Sequence, residues 1–380
     1  MISHMQTTEN APDLIVVGSG IIGLATAYLA HKQGLAVQVV DAADRIVGSS
    51  IQNFGHACFT AQDDNLQPIA DKSREGWLQA AEDVGFWAAT PGTWLPATTE
   101  TELQLLKEFA EHRGTERVRL VSRDELAEAL GNPDLKALGG AHLPRDMRVD
   151  PREAAPAIAT WLAGQGVKFT WSTRVLGVAN GVVDTTRGQL HAGRVIVCPG
   201  TELMQLFPQV AERFKVRVCE LIMTLVERPE RIPAETAVLT GTSMARYGGF
   251  AAMPAATALR EELREREPEL LGCIANLMAT GTRDGLFLGD SHAYSLSPTP
   301  FMEADTAELL LHRGSEIFGL ESPRVLQRWQ GRYADSVDTN LVLEQLDEKT
   351  TVAVVTSGIG MTLSFGVADL ALRGETVSGC

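Results

Sequence analysis

The stretch LIVVGSGIIGLATAYLAHKQGLAVQVVD, running from Leu14 to Asp41, decides the fold of this chain. Its first four residues, Leu14 to Val17, are apolar and read as a buried strand. Gly18, Gly20 and Gly23 follow at the spacing G-x-G-x-x-G, with Ser19 and Ile22 between them. An Ala- and Leu-rich helix comes next, and Ala36 to Val40 makes a second strand that runs out at Asp41 and Ala42. Each position has a physical reason. Gly18 permits the tight turn out of the strand, Gly20 leaves no Cβ where a pyrophosphate must approach backbone, and Gly23 lets helix and strand pack closely. Unpaired N–H groups and the positive end of the helix dipole face phosphates, while Asp41 accepts hydrogen bonds from a ribose diol. The four parts in register predict an adenine dinucleotide; the plainer reading is close packing in an unliganded α/β unit.

The remaining composition bounds the function. A chain of 380 residues, 44% hydrophobic, is long enough for two domains with a large core. Its net charge of −15 repels nucleic acid and anionic membrane, so an anionic substrate would need local cations. No run is long and apolar enough to span a bilayer and no signal peptide opens the chain, which leads to an expected cytoplasmic location. Residues 1–5, MISHM, read as a vector-derived leader with Met5 as the native start. Cys58, Cys198, Cys219, Cys273 and Cys380 are odd in number and lack a C-x-x-C spacing, so reduced thiols are expected and no metal site.

Further along, Gly48 to His56 is rich in small and hydroxyl residues. Ser49 and Ser50 are placed to donate to a pyrophosphate there, and Gly55 to admit a flat ring; an ordinary turn is the rival reading. A long amphipathic helix is predicted from Pro68 to Trp87, a short strand at Trp94, and a helix from Glu100 to Arg113. Ser122 and Glu125 make a capping box for a helix reaching Leu130, and Asp150 caps a helix that starts at Pro151. Three β-runs follow, Lys168 to Trp171, Val175 to Val183 and Gln189 to Val197, the last ending at Gly200 beside the dinucleotide. Phe214 to Val226, Gly272 to Met278 and Gly285 to Gly289 read as strands, and Val238 to Ala252 as a strand and loop. They suit an antiparallel sheet walling a cavity, in a domain inserted into the first.

Near the C-terminus, Arg324 to Tyr333 is a β-run, Thr351 to Val355 is a buried strand, and Thr356-Ser-Gly358-Ile359-Gly360-Met361-Thr362 opens an apolar helix. A second helix N-terminus is thus aimed at something electron-rich. With these residues in place, the whole chain resembles the glycine oxidase/D-amino acid oxidase superfamily of FAD-dependent amine oxidoreductases. Gly18, Gly20, Gly23, Asp41, Gly200, Gly358, Gly360, Met361 and Thr362 occupy its motifs. Ser49 to Gly55, including Asn53 and Phe54, together with Ser73 to Trp77, Gly289 to His292, Trp329 to Gly331 and Met361 to Phe365, resemble its phosphonate-associated branch, which is linked to breakdown of 2-aminoethylphosphonate and its N-methyl or hydroxy relatives. The chain departs from the superfamily pattern W-x-G-x-R-P, carrying Trp329-Gln-Gly-Arg332-Tyr333 instead.

The resemblance implies an α/β fold: an FAD-binding Rossmann-type domain from residues 12–92, 146–212 and 325–380, with an inserted α+β substrate domain, residues 93–145 and 213–324, built on an antiparallel sheet. FAD is noncovalent, held by the motif residues above together with Ser19, Ile22, Ala42, Val175 and Ile359. The implied reaction passes hydride from the carbon bearing a small amine's nitrogen to flavin N5. Imine hydrolysis then gives an aldehyde such as phosphonoacetaldehyde, and O₂ or another acceptor reoxidises the flavin. The expected substrate is a small anionic amine, an aminoalkylphosphonate first. A glycine-, sarcosine- or D-amino-acid-type carboxylate is the alternative, and a non-catalytic flavin-binding module the second. Candidates for the anion site are Arg332 first, then Arg246, His292, Tyr247, Tyr294 and Tyr333; His56 is expected close to the flavin.

Overall fold

The computed structural model describes residues 11–377, so the leader and Cys380 lie outside the described residues. The opening stretch folds as strand Leu14–Val17, helix Ile21–Lys32 and strand Val37–Val40. Leu14–Val17 lies inside a six-stranded sheet, between Arg194–Val197 and Val37–Val40, parallel to both. Lys168–Thr170 closes one edge, and Thr350–Val355 with Leu341–Gln345 closes the other. Both faces of the central strand are covered, which is why it reads as an unbroken apolar run. Leu14 and Val16 pack into the core shared with Ile21–Lys32, whereas Ile15 and Val17 join a second core on the opposite face with Val183 and Val195.

That second face is roofed by a three-stranded antiparallel sheet, Val175–Ala179, Val182–Thr185 and Gly188–His191. The runs expected as Val175 to Val183 and Gln189 to Val197 are therefore each broken in two. Asn180 and Gly181 both take positive φ, 50° and 82°, and make the tight hairpin turn that an Asn-Gly pair favours.

The larger, nine-stranded sheet is antiparallel apart from one parallel bridge between Val238 and Trp94. Its longest pairing joins Val216–Val226 to Val325–Ser336, so the latter strand, which the sequence division groups with the dinucleotide segments, hydrogen-bonds along this second sheet. Two expectations here are corrected. Only Ala237–Leu239 of Val238 to Ala252 is extended; Thr240 and Ser243 then form a reciprocal hydroxyl cap, and the one-turn helices Gly241–Met244 and Gly248–Ala251 follow. Gly272 to Met278 is not a strand: helix Pro268–Gly272 precedes it and pairing starts only at Met278.

Local signals elsewhere match closely. Helix Glu100–Arg113 has the expected bounds, Ser122 and Glu125 form the capping box, and Asp150 accepts from Arg152 N ahead of Pro151. A small fourth sheet pairs His56–Ala57 and Ala88–Ala89 with Met147–Val149. From it the buried Arg148 donates to the carbonyls of Phe54 and Gly281, both at 2.5 Å, and so ties this sheet to the large one.

Candidate active site

A single cavity of about 760 Å³ runs from the Gly18 turn to Asp290 and Met361, within the roughly 300–1,000 Å³ typical of ligand and cofactor sites. At one end, Gly18 (φ +96°) and Gly23 show why this loop admits no side chain. A Cβ on Gly18 would lie 2.5 Å from the Cys198 carbonyl, and one on Gly23 would lie 1.9 Å from the Gly18 carbonyl. Helix Ile21–Lys32 starts at Gly20 with no side-chain cap from that residue and no acid in its first turn; Ile21 N donates to Ser50 Oγ at 2.8 Å. Asp41 is held by three donors: Ser19 N and Ser19 Oγ reach Oδ2 at 2.7 Å, and Ala43 N reaches Oδ1 at 2.8 Å.

Gly18, Gly20, Ile22, Gly23, Asp41 and Ala42 all reach the cavity wall. Ser49, Ser50, Asn53, Phe54, Val175 and Gly200 join them, as do Gly358, Ile359, Gly360 and Met361. Ser49 Oγ, however, donates to the Arg332 carbonyl at 2.5 Å. Three expected residues stand off the wall. Ser19 is turned onto Asp41, and Thr362 Oγ1 accepts from Cys58 N at 3.2 Å. Gly55 is a correction: a Cβ there would lie 2.0 Å from the Val149 carbonyl, so this glycine serves strand packing and admits no ring.

The second helix N-terminus belongs to Gly360–Arg373, again without an acid in its first turn or a side-chain cap. Gly358 (φ +75°) brings its turn against the Tyr333 ring, 2.9 Å from where a Cβ would sit. Helix Gln67–Val84 secures this end, with Trp77 Nε1 donating to the Met361 carbonyl at 2.7 Å and Phe365 N donating to Ser73 Oγ at 3.2 Å.

Beyond Gly358, strand Val325–Ser336, the loops beside the large sheet and the small sheet deliver the candidate substrate residues. Arg246, Tyr247, His292, Arg332, Tyr333 and His56 all line the cavity; Tyr294 does not, but its hydroxyl accepts from Arg246 Nη2 at 3.1 Å. Arg246 is open to the cavity and among the described residues has no carboxylate within salt-bridge distance. Arg332 is differently engaged: its Nη2 donates to the Thr299 carbonyl at 2.8 Å and stands 3.7 Å from Glu220 Oε1, with 43% of the side chain exposed.

Buried polar groups cluster here. Asp290, within the Gly289 to His292 segment but not among the expected anion-site residues, lines the cavity with Oδ1 unpartnered, and Asn276 Oδ1 is likewise unpartnered. Burial pushes the Asp290 carboxyl up to about 7, although Arg246 opposes this. Burial, then Arg246, hold His292 down to about 3. His56 is likewise held down to about 3, by burial and then Arg148. Its Nε2 lies 2.7 Å from the Thr93 hydroxyl, which donates to Asp146 Oδ2 at 2.8 Å, and its Nδ1 has no partner. His56, Cys58 and Asp146 stand close enough to share a metal ion. Thr60 and Thr93 already donate to both Asp146 oxygens, so Asp146 is satisfied by protein hydrogen bonds.

The pattern of the FAD dependent oxidoreductase family matches residues 13–373, nearly the full chain. The chain belongs to this family. The fold agrees: glycine oxidase from Geobacillus kaustophilus superposes with a TM-score of 0.77 at 20% identity, covering 97% of this chain and 96% of that one. L-proline dehydrogenase from P. horikoshii also gives 0.77, at 19% identity over 97% and 95%. Among curated sequences, L-2-hydroxyglutarate dehydrogenase of Escherichia coli is 27% identical over 211 residues, 50% of this chain and 47% of that protein. The chain spans about half the length of the curated relatives it matches. No described helix is long and apolar enough to cross a membrane.

FAD is the cofactor of this family, and the oxidoreductase's residues fit it. Two acid-free helix N-termini, neither capped by its own N-cap side chain, open onto one cavity, and Gly18, Gly20 and Gly23 of the first turn line it without a Cβ. What sequence reading missed is the pair Asn276 and Asp290. Their backbones hydrogen-bond to each other, Asn276 N to Asp290 O at 2.9 Å and Asp290 N to Asn276 O at 3.2 Å. The Asp284-Gly285 turn between strands Met278–Gly281 and Leu286–Gly289 was the available signal, since the register that pairs Met278 with Gly289 brings the two within one position of each other.

Proposed function

We propose that this FAD-dependent oxidoreductase oxidises a small amine that carries an anionic group, an aminoalkylphosphonate first among them. The observation that carries the reading is Arg246, a guanidinium open to the cavity with no carboxylate partner among the described residues. A phosphonate dianion calls for a cation with several further donors around it. Tyr294 and Tyr333 lie within electrostatic reach of Arg246, and Tyr247 follows it in the chain. We therefore put Arg246 ahead of Arg332, whose donors are already directed at Thr299 and Glu220.

Bound FAD supplies the hydride acceptor. The chain's own contribution is to orient the amine and exclude water, with Leu221, Met223 and Met278 as apolar wall. The cofactor is read as noncovalent. Cys198 is the cavity's cysteine, and burial pushes its thiol up to about 12, far from a reactive thiolate.

A second reading, oxidation of a small amino acid, is favoured by the likeness to glycine oxidase and to a D-amino acid dehydrogenase of Helicobacter pylori. A panel of 2-aminoethylphosphonate, its N-methyl derivative, glycine, sarcosine and D-alanine separates the two, scored by anaerobic flavin bleaching and by H₂O₂ in air. The phosphonate reading expects bleaching by the first two. Bleaching by the carboxylates alone overturns it, and a flavin that no member reduces overturns both.

A further inference from the structure

Four carboxylates reach the cavity wall: Asp41, Asp63, Glu202 and Asp290. Three are already committed. Asp41 is held by Ser19 and Ala43, Glu202 pairs with Arg174 at 2.9 Å, and Asp63 is half-buried and accepts from Asn340 Nδ2 at 3.4 Å. Asp290 differs. It is only 5% exposed, its Oδ1 has no partner, and its Oδ2 faces His292 Nε2 at 3.9 Å.

The histidine does not satisfy it. His292 Nδ1 is 2.9 Å from the Ile274 carbonyl, which can only accept, so Nδ1 carries the proton. In a neutral ring Nε2 is then a lone pair, turned toward another acceptor. Asn276, 9% exposed and joined to Asp290 through backbone hydrogen bonds, adds a third acceptor, its unpartnered Oδ1. Of these three acceptors, Asp290 Oδ1 and Asn276 Oδ1 are buried without a partner, and each would be costly if left unmet. A group that answers all three at once is a primary ammonium, with three N–H donors on one atom and a positive charge for the carboxylate.

We propose that Asp290, Asn276 and His292 form the seat of the substrate's primary ammonium, and that Asp290 Oδ1 takes one of its protons as the amine becomes reactive. In that step one N–H bond breaks, one O–H bond forms and the electron pair stays on nitrogen; nothing is oxidised. The proposal rests on the amine-oxidising reading above and deepens it, because it selects primary over fully substituted amines. The groups facing Asp290 are consistent with a proton site. Arg246 is the cation beside it, while Tyr247, Tyr333, Cys219 and Cys273 feel its charge and are pushed up by burial, so they stay neutral.

The test uses the FAD-loaded enzyme, reduced and anaerobic so that no ligand turns over. Calorimetry compares 2-aminoethylphosphonate with ethylphosphonate and with the trimethylammonio analogue; glycine, acetate and glycine betaine replace them if carboxylates alone bleach the flavin. The seat is therefore tested whichever anion the enzyme reads. Wild type is expected to bind the primary amine roughly 10- to 100-fold more tightly than the amine-free anion, and the trimethylated analogue no better than that anion. Asp290→Asn brings the preference to within about 3-fold while leaving FAD content unchanged. In wild type the preference also falls as pH drops through about 7. Retention of the full preference by Asp290→Asn overturns the proposal, as does equal affinity of wild type for primary and trimethylated amines.

Discussion

Replacing Gly23 by Ala isolates the opening turn. The added Cβ would lie 1.9 Å from the Gly18 carbonyl oxygen, 3.0 Å from its carbon and 3.3 Å from Val16 Cγ1. Both near atoms are backbone, so strand and helix must part by about 1 Å before the contact is tolerable. Overpacking of this kind costs roughly 1–3 kcal/mol of stability. The larger effect is expected on FAD, because the same displacement carries the N–H groups of the first helical turn away from the pyrophosphate. Losing two charge-assisted hydrogen bonds at roughly 1.5–3 kcal/mol each weakens binding by about 100-fold or more. Gly164→Ala is the control, because a Cβ there meets nothing within 4 Å. Flavin content by absorbance and FAD affinity by titration of apoprotein distinguish them. The Gly164 variant is expected to stay yellow and the Gly23 variant to be isolated largely colourless. A Gly23→Ala protein with stoichiometric FAD and unchanged affinity would refute the assignment of this turn to the cofactor.

Three other perturbations probe the rest. Arg246→Ala is expected to raise KM for an anionic amine by roughly 10- to 100-fold, and Arg332→Ala by only a few-fold; steady-state kinetics showing the reverse order would return the anion to Arg332. His56 is neutral in the fold, held down to about 3, whereas an unfolded imidazole titrates near 6.5, so its contribution is complete above about 6.5 and is lost as pH falls toward 3. His56→Asn should therefore lose roughly 2 kcal/mol less than wild type between pH 7 and pH 5 in urea titrations, and parallel losses would contradict the assignment. Arg148→Met leaves the Gly281 carbonyl without its donor and deprives Phe54 O of one of two, the other being Thr280 Oγ1; a destabilisation of roughly 3 kcal/mol is expected, and one below about 1 kcal/mol would show that Arg148 is not a structural tie.

Where sequence reading succeeded, the deciding physics was local. The Ser122–Glu125 box, the Asp150-Pro151 start and the Gly18 turn are each set within a few residues, by capping geometry or by the absence of a Cβ. Where it failed, polar side chains substituted for the backbone pattern. Thr240 and Ser243 cap a helical turn inside an apolar, β-rich run, and Asn180-Gly181 folds one apparent strand into two. Gly55 misled for a different reason. A glycine demanded by a neighbouring carbonyl is indistinguishable in sequence from one demanded by a ligand, and only the position of Val149 O decides. Arg246 and Asp290 lie 44 positions apart, and their facing charges arise from how the large sheet brings its loops together, which no short motif records.

The segment Ser73 to Trp77 also changes meaning. It resembles a phosphonate-associated motif, yet none of its five residues reaches the cavity. Gly76 instead brings its helix so close to Phe365 that a Cβ would lie 2.4 Å from that side chain, and Gly366 answers from the other helix, 2.1 Å from the Ile69 carbonyl by the same measure. Trp77 and Ser73 add hydrogen bonds to the backbone at Met361 and Phe365. The motif therefore locks helix Gln67–Val84 onto helix Gly360–Arg373 and fixes where the second N-terminus points. A shared way of seating the cofactor is sufficient reason for two proteins to have it in common. In the proposed function, substrate choice falls instead to Arg246, Asn276, Asp290 and His292, which line the cavity.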